Sequence, residues 1–255
     1  MLKMLMRDER EAWNERYRKG SHSTVEPDSF LVESYAEFIT PLLPNAGSAL
    51  DLAGGIGRHA IWLVQRGWQV RLADILEVGV EHARDHAGVL KEKIEFRIED
   101  VSNFKAGKTR YDLILVFFYL QREIFPELVK TLRLGGLLLY KTYTRLHPKL
   151  GRGQIHPMHL LKENELLTAS PGLTVLDYHE TVHSRGVAEF VGRKNSHQGH
   201  KARKVFLRVS VVHYFSCHSG IRPGVHGAPA ASIAFSRLAT STCMSVRSFD
   251  SCCVN

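Results

Sequence analysis

The sequence predicts an α/β fold: a mostly parallel sheet with helices on both faces, closed by an antiparallel strand pair. Three observations predict it. Strand and helix patterns alternate through residues 49–169, the order that builds β-α-β units. Residues 112–118 are apolar almost throughout, as a strand buried on both faces must be. The last two strand patterns, 173–180 and 187–192, are separated only by residues 181–186, a link that allows a hairpin but no parallel crossover.

Each element has its own signal. Residues 8–18 form a charged helical segment, and 28–40 a second helix that starts after Pro27 and is stopped by Pro41 and Pro44. The first strand is 49–53, followed by a helix over 58–66 that ends at Gly67. The second strand is 68–73 and its helix 76–90. In the third strand, 94–98, Ile94, Phe96 and Ile98 alternate with Lys93, Glu95 and Arg97, which marks a half-exposed strand at the sheet edge. The fourth, 112–118, is central. Ile124, Leu128 and Leu132 then recur at helical spacing, with Pro126 tolerated in the first turn. Gly135-Gly136 turns the chain into a fifth strand, 137–143, and a helix over 158–169 is closed by Pro171-Gly172. These seven strands divide the chain into an N-terminal helical lid (1–47), a core (48–194) and a tail (195–255).

Composition narrows the class. Apolar residues at 44% and charged residues at 24% are globular values and exclude a disordered chain or a disulfide-dense mini-protein. The longest apolar run, 113–120, is too short to cross a bilayer, which takes ~20 residues. The charged stretch 7–11 precedes any apolar segment, so neither a signal peptide nor an anchor is expected, and the chain reads as cytoplasmic and monomeric. The net charge of +8 is concentrated in the tail, where seven Lys and Arg face one acid, Asp250. The tail therefore carries +6 and the rest only +2. All four cysteines (Cys217, Cys243, Cys252 and Cys253) are there too, which suits a reducing compartment. The tail is rich in Ser and His, with 205–215 its one strand-like stretch, and reads as disordered.

The chemistry is carried by Asp51-Leu52-Ala53-Gly54-Gly55-Ile56-Gly57, between the first strand and its helix. Glycines there let the backbone turn tightly and a ligand approach closely, and the N–H groups of the helix that follows point at that ligand. Gly55-x-Gly57-x-x-Ala60, with Asp74 nineteen residues beyond Gly55, also fits a dinucleotide site. Three features favour a different adenosine ligand. Asp51 beside the loop would repel a pyrophosphate but suits an ammonium and a sulfonium. Glu99-Asp100-Val101 after the third strand supplies a second acid for an adenine amine. The antiparallel final pair is foreign to the ordinary dinucleotide fold.

The stretch from Leu50 to Ala60, with Leu72-Ala73-Asp74, Glu99-Asp100-Val101 and Leu134-Gly135-Gly136, resembles the Rossmann-like, class I S-adenosylmethionine-dependent methyltransferases. Within them it is similar to the tellurite-resistance and thiopurine-type branch, whose opening shares the pattern of Trp13 and Tyr17. The resemblance covers about residues 10–193. It implies that Ala53, Gly55 and Gly57 line the methionine part of the cofactor, with Asp51 near its ammonium. It further implies that Asp74 takes the ribose hydroxyls, that Asp100 and Val101 meet the adenine, and that Phe117 or its neighbours flank the sulfonium. Trp13 and Tyr17 would close over the cofactor. Ala53 replaces the usual first glycine of the loop, a change expected to cost little.

Each residue also has a plainer reading. Asp51 can satisfy loop N–H groups, Asp74 can cap the next helix, and Asp100 can be a turn residue. Trp13 and Tyr17, at i and i+4, can be ordinary helix packing. His82 and His86 have the spacing of zinc ligands but sit between Glu81 and Asp85 on a solvated face, so no metal is expected. His156 and His159 fall in a loop. The chain after the fourth strand reads Phe117-Phe118-Tyr119-Leu120-Gln121-Arg122, without the Asn/Asp-Pro-Pro-Tyr/Phe signature of many base and glutamine methyltransferases. An aromatic lining with Arg122 as the nearest charge suits a small, soft or lipophilic acceptor, and the residues name no catalytic base. Two alternatives stay open: an RNA methyltransferase using the basic tail, and a non-catalytic adenosine-ligand-binding protein on the same fold.

Overall fold

Branched and aromatic side chains in runs of five to seven make strands wherever both faces are covered, and such runs set the centre of this molecule. The computed structural model describes residues 2–20, 24–108, 110–147, 155–182, 185–195 and 212–213. All fall in one compact unit, Met1–Phe215; the second unit, Ser216–Asn255, lies outside the described residues. So does the expectation of a disordered tail, apart from Asn195 and the pair Val212–His213.

The strands are β1 (Ser48–Leu52), β2 (Gln69–Asp74), β3 (Ile94–Ile98), β4 (Tyr111–Phe117), β5 (Leu132–Tyr143), β6 (Leu173–Val182), β7 (Gly186–Lys194) and β8 (Val212–His213). Their spatial order is β3-β2-β1-β4-β5-β7-β6-β8. The first five run parallel, while β7 is antiparallel to both β5 and β6. The seven expected strands are all present, with β3 at one edge as its alternation required. An eighth, two-residue strand extends the other edge by pairing in parallel with Thr181 and Val182.

One face of the sheet is covered by α2 (Ser29–Ser34), α4 (Arg58–Val64) and α5 (Glu77–Ala87). Leu113, Leu115 and Phe117 of β4 point to this side, with Leu63, Val80 and Trp68. The alternate β4 residues Ile114 and Val116 face the other side, under α6 (Phe125–Thr131) and α7 (Glu165–Ala169). Fully burying side chains of this size contributes about 1.5–3 kcal/mol each, so β4, covered on both faces, is the anchor of the fold. The N-terminal α1 (Leu2–Arg18) lies against α5, where Arg10 pairs with Glu77 at 2.9 Å.

Several boundaries differ from the sequence reading. The second helix passes through Pro41: a π-turn at Tyr35–Ile39 leads into α3 (Thr40–Leu42). Thr40 donates both its N–H and its Oγ1 (2.9 Å) to the Tyr35 carbonyl, so the wider turn keeps that acceptor satisfied next to a residue without an N–H. Leu132 belongs to β5 rather than to the helix before it, because Gly135 at φ +83 makes a bend inside the strand instead of preceding it. The helix expected over 158–169 is a 3-10 turn, Pro157–His159, followed by the short α7. No described helix is long and apolar enough to cross a membrane.

Candidate functional site

The strand order reverses between β1 and β4, and in an open α/β sheet the crevice at the carboxyl ends of such a pair is where ligands bind. Both strands end here in a strained residue. Ala53, just past β1, has φ +57, and Phe118, just past β4, has φ +58. A left-handed conformation costs a residue with a Cβ roughly 1–2 kcal/mol. The substitution at Ala53 is therefore not cheap, contrary to the sequence expectation. Strain of this kind at one crevice marks a site whose geometry the surrounding fold enforces.

The glycine loop between β1 and α4 is shaped by close approach. Gly57 has φ +73, and a Cβ there would stand 2.8 Å from that of Ala83. Gly55 has φ +54, and a Cβ there would meet the Tyr17 hydroxyl at 2.6 Å. Asp51 lies beneath the loop, 1% exposed. Its Oδ2 accepts from the Ala60 N–H at 3.1 Å, while its Oδ1 is buried without a partner. Burial raises its pKa to about 7, against the Ala60 N–H and Arg58, which lower it. A buried carboxylate with one orphaned oxygen is a ready receptor for a cationic donor.

Asp74 ends β2 and ties two loops together. Its Oδ2 accepts from Gly55 N–H and its Oδ1 from Leu76 N–H, both at 2.8 Å. Burial pushes its pKa up despite these bonds. A carboxylate has about four lone-pair sites, and the Ile75 N–H engages Asp74 as well. Asp100 is exposed and held by its own turn: Oδ1 accepts from Ser102 N–H at 2.9 Å and Oδ2 from Asn103 Nδ2 at 2.9 Å. Its burial works against ionisation, but the bonds from Ser102 and Asn103 outweigh it and hold the pKa below the ordinary value. With buried Val101, Asp100 borders a cleft of about 190 Å³ that Arg71, Glu99 and Tyr111 also line.

Of the two aromatic residues on α1, Tyr17 reaches the loop. Its ring also lies against Gly79 of α5, and burial, then Asp74, raises its pKa. Trp13 is 36% exposed, 6.3 Å from the Tyr17 ring and under Arg16. Asp51, Ala53, Gly55, Gly57, Asp74 and Tyr17 thus converge on one loop, while Asp100 and Val101 flank it beyond β2 and Trp13 stands at its rim.

On the other side of the crevice, Phe117 points into the sheet face beneath α2, 4.2 Å from the His59 ring and 6.0 Å from Phe30. Phe118 packs on Tyr143 at 5.1 Å, and Tyr143 on His147 at 4.3 Å. Lys141 is the buried charge here. Its Nζ lies 2.7 Å from Asp28 and 2.8 Å from Glu189. Burial disfavours its charge, yet both carboxylates overcome that and raise its pKa. Arg122, expected as the nearest charge, is instead consumed by Glu165 (2.5 and 3.0 Å) and the carbonyls of Met158 and Leu160.

Sequence reasoning missed Asp28, His59, Lys141 and Glu189. A lysine in the apolar strand run 137–143 was one available signal, and a histidine on the apolar face of α4 with Leu63 was another. Among the described residues no group of three or more His, Cys, Asp or Glu is placed to hold a metal.

Comparison with known proteins places this architecture. Residues 49–136 match the methyltransferase domain family. TehB from Haemophilus influenzae shares the fold, at 20% identity over 71% of this chain and 67% of that chain, with a TM-score of 0.54. So does magnesium protoporphyrin IX methyltransferase (ChlM) from Synechocystis PCC 6803 with bound SAH, at 15% identity over 66% and 82%, TM-score 0.54. N-methyltransferase NodS from Bradyrhizobium japonicum WM9 is a third, at 16% identity over 66% and 98%, TM-score 0.52. None of the curated proteins matches the chain in sequence. Residues 49–136 thus match a methyltransferase domain, and the sheet around them has the Rossmann-like fold that these solved structures share.

Proposed function

We propose that this domain transfers a methyl group to a small-molecule acceptor with a soft or lipophilic nucleophile, as a member of the tellurite-resistance and thiopurine-type branch. S-adenosylmethionine, when bound, supplies an activated methyl on a sulfonium. In this reading Asp51 faces the cofactor ammonium with its orphaned Oδ1, and Ala53, Gly55 and Gly57 give the backbone close access. Asp74 takes the ribose hydroxyls, Asp100 and Val101 flank the adenine, and Phe117 borders the sulfonium. Tyr17, with Trp13 at the rim, covers the loop. The enzyme's share is to hold nucleophile and methyl in line and exclude water, worth several kcal/mol at ~25 °C.

One observation carries the acceptor class. The buried cation beside the crevice is closed off internally, Lys141 by Asp28 and Glu189, and the ring cluster next to it is Phe118 and Tyr143. Such a wall offers dispersion and π contacts rather than a stripe of free cations for a polyanion. The test is a methyl-transfer screen of the full chain with labelled S-adenosylmethionine against thiols, selenite, tellurite, small amines and total RNA. Label in a small acceptor is expected. Transfer to RNA alone overturns the reading.

A further inference from the structure

His59 stands at the start of α4, 4% exposed, with its ring 4.2 Å from Phe117. Its Nε2 is buried and has no hydrogen-bond partner. An unsatisfied buried polar atom costs about 1–3 kcal/mol and calls for a reason. Packing alone supplies none, since a phenylalanine or leucine would fill the same place without the penalty. The charged groups around it are Arg58 on its own helix, Asp28 at the cap of α2, and Lys141 of β5 with Glu189 of β7. Burial, then Arg58, lowers its pKa to about 3 against the pull of Asp28. The imidazole is therefore neutral at physiological pH and keeps a free lone pair.

We propose that His59 is a catalytic residue: Nε2 accepts a hydrogen bond from a protic methyl acceptor, X–H, and then takes its proton. The assignment rests on the small-acceptor reading above. As X gains the methyl, the X–C bond forms, the pair of the broken C–S bond stays on sulfur, and the X–H pair stays on X. The proton goes to Nε2. A weak base suffices, because X–H becomes strongly acidic only as X takes on positive charge. The imidazolium so formed is next to the carboxylate of Asp28, and one positive charge is present before and after.

Two probe thiols test the assignment. 2-Mercaptoethanol is mostly protonated at pH 7.5, whereas 4-nitrothiophenol is already ionised and has no proton to give. His59→Gln is expected to slow methylation of the first by roughly 100-fold, the lower range for a general base, and of the second by under about threefold. Calorimetry with S-adenosylhomocysteine reports that the variant is folded. An independent readout uses the unaltered protein: in its S-adenosylhomocysteine complex, 2-mercaptoethanol should move the His59 Nε2 nitrogen resonance. Equal slowing of both thiols, or an unmoved resonance, overturns the role of His59 and leaves the small-acceptor reading standing. If the unaltered chain methylates neither thiol but methylates RNA, the small-acceptor reading fails and this role falls with it.

Discussion

The Tyr17 hydroxyl stands over Gly55 so closely that a Cβ on that glycine would lie 2.6 Å from it. Gly55 is thus constrained twice, by φ +54 and by the ring above it. α1 packs on α5 and so brings Tyr17 onto the glycine loop.

Gly55→Ala should therefore destabilise the fold by about 1–3 kcal/mol, from the left-handed conformation and the clash together. Adding Tyr17→Phe removes the clashing oxygen and should recover part of that loss, while Tyr17→Phe alone has a small effect. Denaturant titration of the two single variants and the double variant reads the coupling directly. Strict additivity would mean that Tyr17 does not pack on Gly55.

Asp51 predicts a pH signature. Its folded pKa is raised to about 7 by burial, above the ~3.9 of an unfolded aspartate. The folded chain then binds a proton that the unfolded chain releases, so this group's stabilising contribution is complete below about pH 4. It declines as pH rises and is gone above about pH 7. Asp51→Asn should flatten that part of the stability curve. A cofactor ammonium favours the ionised carboxylate, so binding at pH 6 should release a proton. Calorimetry in buffers of different ionisation enthalpy detects this; buffer-independent heats at pH 6 would refute it.

Ala53 offers a gain rather than a loss. At φ +57 its Cβ is a liability that glycine lacks, offset by the greater entropy of glycine in the unfolded chain. Ala53→Gly should raise stability by about 0.5–1 kcal/mol, readable as a higher Tm. A fall in Tm would show that the Ala53 methyl makes contacts worth more than the strain.

The parts of the fold that were legible in sequence are those set by local pattern. The apolar run of β4, the alternation of β3 and the short link between β6 and β7 each fixed a strand's place without knowledge of its partners. Helix ends failed where tertiary context won. Pro41 did not stop its helix: a π-turn over Tyr35–Ile39 carries the chain into Thr40–Leu42, with Thr40 donating twice to the Tyr35 carbonyl. Leu132 left its helix for β5, where it pairs with Tyr111. In the site, the glycine loop and its two acids were visible because they are contiguous or regularly spaced. The Lys141 cluster was not, since Asp28 and Lys141 are 113 residues apart and meet only through packing. Arg122 shows the converse: its place after β4 was legible, but its commitment to Glu165, 43 residues on, was not.

Lys194 ties the end of β7 to α6. Its Nζ donates to the carbonyls of Val129 at 2.7 Å, Lys130 at 3.3 Å and Leu132 at 2.8 Å. These are orphaned acceptors at the close of α6, where a cation also complements the helix dipole. Burial lowers the Lys194 pKa. In addition, its backbone pairs with Leu173 at the start of β6. One side chain thus joins the last turn of α6 to the strand that is inserted between β5 and β6. Lys194→Ala should cost about 1–2 kcal/mol, the scale of a lost helix-terminal cap. A chain cut after Asn195 keeps this contact and loses only the two-residue pairing of β8 with Thr181 and Val182. It should melt within a few degrees of the full chain and bind S-adenosylhomocysteine with unchanged affinity, although +6 of the net charge is gone. A chain cut after Gly192 should be markedly less stable. If the cut after Asn195 abolishes cofactor binding, the segment beyond it is part of the working domain, and the boundary at Lys194 is wrong.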